Sequence, residues 1–181
     1  SATLLSGGTV YDGTGAAPAE DQTVLIDGSK IAGIQATSAT LPEGYTSMDL
    51  TGASVMPGIV GMHNHMFYIA RPNLDASGHS DDPVLLPQMT FSAPRLYLAN
   101  GVTTMRTTGS VEPYADLNVK REIDLGHLVG PHMDVTAPYL EGPDSPFIQM
   151  HQISSPEDAR RTVAFWADQG ATSFKAYMNI T

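Results

Sequence analysis

Pro57-Gly58-Ile59-Val60-Gly61-Met62-His63-Asn64-His65 is the stretch that decides how this chain is read. It opens on a turn-forming Pro-Gly, passes through the apolar pair Ile59-Val60 and closes on two histidines one residue apart. In an extended strand residues i and i+2 share a face, so His63 and His65 both reach toward one point. Neutral imidazole is the commonest protein ligand of zinc-like ions, which makes the pair a candidate metal site; two ordinary histidines near a strand end would explain the same letters. Position favours the metal reading, because the pair closes a short, buried-looking strand, and in α/β barrels the C-terminal strand end carries the chemistry.

On the N-terminal side, residues 1–56 read as a small β-sheet unit. Thr3 to Gly13 holds a strand, a glycine turn and a strand end; Thr23 to Ile34 reads as a hairpin about Asp27-Gly28; a further strand falls near Ser47 to Leu50. From Pro57 to Thr181 the order becomes strand, loop, helix, the pattern of βα units and a parallel sheet. Strands are predicted near 59–64, 102–106, 132–137 and 172–177, and helices near 89–99, 114–126 and 156–169. The last helix is the best marked: Ser155 can cap it, Pro156 suits its first turn, Glu157 and Asp158 favour its positive end, and Gly170 ends it. Its Ala159, Val163, Trp166 and Ala167 follow helical spacing and predict a packed face. Segment 66–88, rich in Pro, Asp and Ser, reads either as a lid or substrate-binding loop or as an insertion, with His79 a solvated loop residue.

Composition sets the outer limits. Hydrophobic residues make up 41% of the 181 and charged residues 15%, which supplies a core and is too little charge for a disordered chain. A net charge of −10, from 19 acidic against 9 basic residues, argues against nucleic acid or an anionic membrane surface as a partner. With no cysteine, disulfides and thiolate metal sites are excluded, so a metal would be held by His, carboxylate or modified lysine. No apolar run reaches the roughly eighteen residues of a membrane span, and no signal-peptide pattern opens the chain. The start at Ser1 fits both a cytoplasmic protein and an exported mature form.

A second chemical feature lies in Gly170-Ala171-Thr172-Ser173-Phe174-Lys175-Ala176-Tyr177-Met178, where one lysine stands in an apolar predicted strand. A buried ammonium needs a partner, a lowered pKa or chemical change. Reaction of a neutral lysine with carbon dioxide would give a carbamate with two ligand oxygens; snorkelling to solvent or pairing with a carboxylate would equally account for Lys175.

The order of these parts, an N-terminal β unit, Val55 to His65, then Gly101-Val102-Thr103-Thr104-Met105-Arg106, then the lysine segment, resembles the amidohydrolase superfamily. That resemblance implies a distorted (β/α)8 barrel, with a His-x-His on its first strand and a carboxylated lysine on its fourth; these map to His63, His65 and Lys175. Thr172 to Met178 looks most like the dihydropyrimidinase and hydantoinase version. Gly8-Thr9-Val10-Tyr11-Asp12-Gly13-Thr14-Gly15 looks like imidazolonepropionase-related and prolidase-like members. Gly61 departs from the pattern, which commonly places an acidic residue there. The fold class is therefore α/β: a small N-terminal β-sandwich unit followed by the first four βα units of a TIM-like barrel, since a typical barrel of roughly 250 residues does not fit after Pro57.

The resemblance also implies two divalent cations, zinc by preference, a metal-activated water attacking an amide or cyclic amide of a small molecule, and a proton-accepting aspartate beyond this chain. The chain would then need the C-terminal half of the barrel or a second copy. Arg106 at the end of the second predicted strand, Tyr139 after the third and His151 in the loop before the last helix are candidate substrate contacts, whereas His132 at a strand start reads as structural. Two other readings stand beside this one: a deaminase-like site with one metal and a free Lys175, and a non-catalytic fragment.

Overall fold

Every strand of the first unit is organised around β1 (Ala2–Val10). The structure, a computed structural model, describes residues 2–40, 42–143, 145 and 150–180, and its contacts divide the chain after Pro57. On one side of β1 runs β2 (Ala19–Asp27), antiparallel, and β2 turns at Gly28 into β3 (Lys30–Ala36). On the other side β4 (Thr46–Asp49) and β5 (Ser54–Val55) pair with β1 in parallel, β4 with its first half and β5 with its last two residues. Leu4, Val10, Val24 and Thr23 are buried in this unit. It is one five-stranded sheet, not the two facing sheets of the expected sandwich, because every strand pairs with β1 either directly or through β2.

The second unit opens with β6 (Ile59–Asn64), followed by α1 (Ser92–Ala99), β7 (Val102–Thr107), α2 (Pro113–Asp124) and β8 (His132–Asp134). The three strands form a parallel sheet in the order β6-β7-β8, with Gly61 opposite Met105 and Arg106 opposite Asp134. Met105, Met133 and Val135 pack with Met66, Phe67 and Val119 into a core that α1 and α2 help to cover, through Ala93, Tyr97 and Ile123 among others. Next come β9 (Tyr139–Glu141) and β10 (Met150–Gln152), paired in parallel, and α3 (Pro156–Asp168). Ser155 caps α3 by accepting from the Asp158 amide, while Asp158 accepts from the Ser154 amide.

Four expectations change. Ile59, Val60 and Met62 are half exposed or more, because β6 is a sheet edge and no described element covers that run. Thr172 to Tyr177 is not a continuous strand: it meets the third strand region through separate bridges, Thr136 to Ser173 and Leu140 to Ala176. Pro138 lies between them and bridges Ser110 instead. On α3 the buried residue is Thr162, while Val163 and Phe165 stay exposed and Trp166 rests on Tyr114 at 5.2 Å. His151 lies within β10 and not in a loop.

Candidate functional site

The end of β6 delivers His65 into a cage of aromatic rings. His63 is exposed at the edge, its ring edge-on to that of His65 at 5.7 Å. His65 is half buried: Tyr68 lies against it at 4.6 Å and Tyr139 stacks at 5.9 Å. The Tyr97 hydroxyl of α1 donates to the His65 carbonyl at 2.8 Å, which fixes the backbone where the strand ends. Nδ1 of His65 lies 3.2 Å from the Gly109 carbonyl, and the Tyr139 hydroxyl is 3.0 Å from Nδ1 and 3.4 Å from Nε2. Burial lowers the His65 pKa, with the charges of Lys175 and His63 adding to that and the Gly109 contact opposing it, so the ring is held toward the neutral form that binds metals.

Lys175 reaches the same cage from the last described segment. Its Nζ lies 5.1 Å from the centre of the Tyr139 ring and 5.2 Å from that of Tyr177, and no described carboxylate forms an ion pair with it. It is half buried, and π faces take the place of a counter-charge. Tyr139 is thus shared between His65 and Lys175. Burial raises its own pKa, with Tyr68 and Tyr177 adding, so its hydroxyl stays protonated.

Gly109 shapes this arrangement. Its φ is +86°, and a Cβ there would stand 2.6 Å from the Tyr139 ring, so only glycine lets β7's exit loop pass beneath the tyrosine. At Gly61, a Cβ would stand 2.1 Å from the Asn64 amide nitrogen. The Asn64 side chain fills the space that an acidic residue at 61 would need.

The other sequence candidates separate. Arg106 lies on β7 with its Nε buried and without a hydrogen-bond partner among the described residues. His151 is exposed, and its contact is Thr162 of α3 at 3.3 Å, not the His65 cage. Among the described residues, no three His, Cys, Asp or Glu side chains converge as a metal cluster. Sequence reasoning missed Tyr68, Tyr97, the Gly109 carbonyl and the buried carboxyl of Asp116. Only the Thr-Thr-Gly at the end of β7 hinted at the Gly109 turn.

Segment 66–88 is an ordered loop. Ala70 and Val84 exchange backbone hydrogen bonds, and Asp75 closes a turn by accepting from the Ser77 and His79 amides. Next to the cage it forms one wall of a cleft of about 200 Å³, lined by Tyr68, Arg71, Met150 and Tyr177 among others.

No protein-family model and no curated protein matches the chain. Solved structures do. A Bifidobacterium longum protein assigned as a prolidase superposes with a TM-score of 0.74 at 24% identity over 99% of this chain and 41% of its own. An Xaa-Pro dipeptidase with methionine bound in its active site gives 0.77 at 19% over 97% and 47%. The bottromycin amidohydrolase gives 0.68 at 19% over 99% and 34%. The chain spans less than half the length of these structures and shares their α/β fold.

Proposed function

We propose that this chain forms the N-terminal part of a metal-dependent hydrolase of the amidohydrolase superfamily, acting on the C–N bond of an amide or cyclic amide. The observation that carries the reading is the convergence of His65 and Lys175 on the ring of Tyr139, with His63 alongside. The fold likeness to prolidase and amidohydrolase structures over nearly the whole chain supports it. The parallel order β6-β7-β8, extended by the bridged segment at Ser173 and Ala176, supports the first four βα units of a barrel. The apolar β6 edge supports a further segment or a second copy completing it.

The residues suit a divalent cation. With the Nδ1 proton of His65 shared between the Gly109 carbonyl and the Tyr139 hydroxyl oxygen, its Nε2 lone pair is left for an ion, the usual way a second hydrogen bond sets a ligand imidazole. His63 adds a second imidazole, and Lys175, once carboxylated, two oxygens that could bridge two ions, zinc by preference. A cation bound there would lower the pKa of a coordinated water from about 15.7 to roughly 7 and polarise the substrate carbonyl. Tyr139 orients His65 and walls off solvent, and Arg106 offers a buried donor to a small-molecule substrate. The contact of Lys175 with two π faces favours one alternative, a site with a single ion in which the lysine remains an ammonium.

Calorimetric titration of the chain with zinc tests the proposal. Saturable binding that is lost in both His63→Ala and His65→Ala supports it; binding unchanged in both variants overturns it.

A further inference from the structure

Beneath the loop that carries Gly109 lies a buried acid that the metal reading does not use. Asp116, in the first turn of α2, is 1% exposed. Its Oδ2 is 2.5 Å from the Ser110 hydroxyl, and its Oδ1 is buried without a partner. The Ser110 oxygen also lies 2.7 Å from the Thr136 carbonyl and 3.4 Å from the Thr107 hydroxyl. The Thr136 amide donates to the Thr107 hydroxyl at 2.9 Å, and the Thr136 hydroxyl donates to the Thr107 carbonyl and meets Ser173 at 2.8 Å.

Proton counting decides the state of this network. A serine hydroxyl has one proton, and a backbone carbonyl can only accept, so the short contact to Thr136 takes the Ser110 proton. The still shorter contact to Asp116 must then be bridged by a proton of the carboxyl. We propose that Asp116 stands in the folded chain as a neutral carboxylic acid, donating to Ser110, which donates to Thr136. As a positioning residue it thereby holds the Thr107–Ser110 loop, and with it the Gly109 carbonyl, against His65. Ionisation would turn the Ser110 proton toward Asp116 and leave the Thr136 carbonyl facing an oxygen lone pair in a buried setting, at the cost that attends any unsatisfied buried group.

The surroundings agree. Burial is the main cause that raises the Asp116 pKa, to about 7; the Ser110 contact opposes it and the charge of Glu112, at the start of the same helix, adds to it. From β9, Tyr139 is the other titratable group coupled to Asp116, and it too is held protonated. The remaining contacts, from Ser110 after β7 and Thr136 after β8, are uncharged. The network stands without any metal; only its consequence for His65 as a ligand rests on the proposed function.

Infrared spectroscopy of the metal-free chain tests this directly, so a failed metal reading leaves the outcome intact. At about pH 6 the folded chain should show a protonated-carboxyl C=O band that is absent in Asp116→Asn and fades by about pH 8.5. Amide exchange at Ser110, corrected for intrinsic base catalysis, should quicken by about tenfold over that range in the wild type and not in the variant. No such band in the folded wild type, or the same exchange response in Asp116→Asn, overturns the proposal. Should Asp116→Asn not fold, Ser110→Ala replaces it: loss of the acceptor must shift the band, and an unmoved band counts against the assignment.

Discussion

The Tyr139 hydroxyl stands 3.0 Å from Nδ1 of His65, which ties the end of the first parallel strand to the start of β9 across the mouth of the sheet. The pairing makes Tyr139 part of the support of His65, and its burial leaves little of it open to a substrate. Tyr139→Phe should therefore keep the ring stack and the Lys175 contact and lose only the hydrogen bond. A cost of about 1 kcal/mol is expected, read as a lower urea midpoint at unchanged slope.

Gly109→Ala should cost more. It combines φ of +86° with a clash against Tyr139, for a loss of about 2 kcal/mol or more. Gly28 has φ of +60° and nothing near its missing Cβ, so Gly28→Ala should cost only about 1 kcal/mol. Denaturation of the two variants side by side separates the clash from the backbone strain.

The helix at 156–168 was legible because its signals are local: Ser155, Pro156 and Asp158 act within one turn. The strand that carries His63 and ends just before His65 was legible for the same reason, through its local apolar run and the Pro-Gly turn before it. The exposure of Ile59 and Val60 was not, since burial depends on what pairs with an edge. Nor was the break between the bridges at Ser173 and Ala176, which depends on how two distant segments meet. The union of His65, Tyr139 and Lys175 spans more than a hundred positions and follows from the parallel order alone.

Stability should depend on pH through Asp116. Its folded pKa is about 7 against an ordinary value of 3.8, so the folded state holds the proton more tightly than the unfolded one. Its contribution is fully present below about pH 3.8 and is lost as pH rises through about 7, on the order of 4 kcal/mol in all. Asp12, Asp49 and Asp158 work in the opposite sense: hydrogen bonds from Thr14, Thr51 and Ser154 hold them below the ordinary value, so their contribution is lost in acid. Urea denaturation from about pH 5 to about pH 8.5 should show falling stability in the wild type and a flatter profile in Asp116→Asn.

The β6 edge predicts association. Ile59, Val60 and Met62 present an apolar run on an edge strand whose outer side no described strand pairs, the kind of surface that recruits another strand. Sedimentation velocity should show concentration-dependent self-association of the chain, and Val60→Lys should shift it toward monomer with little change in thermal stability. Equal association of both proteins would place the contact elsewhere.

Lys175 distinguishes the two metal readings, because its present partners are two π faces and not a carboxylate. An ammonium gains from those faces, whereas a carbamate is anionic and gains only once cations neutralise it. Carboxylation should therefore depend on metal. In carbon-13 spectra recorded with labelled bicarbonate, a carbamate resonance should be absent from the metal-free chain, appear on addition of zinc and be missing in Lys175→Ala. If zinc binds through His63 and His65 yet no carbamate forms at any zinc concentration, the lysine stays charged and the single-ion site is the correct one.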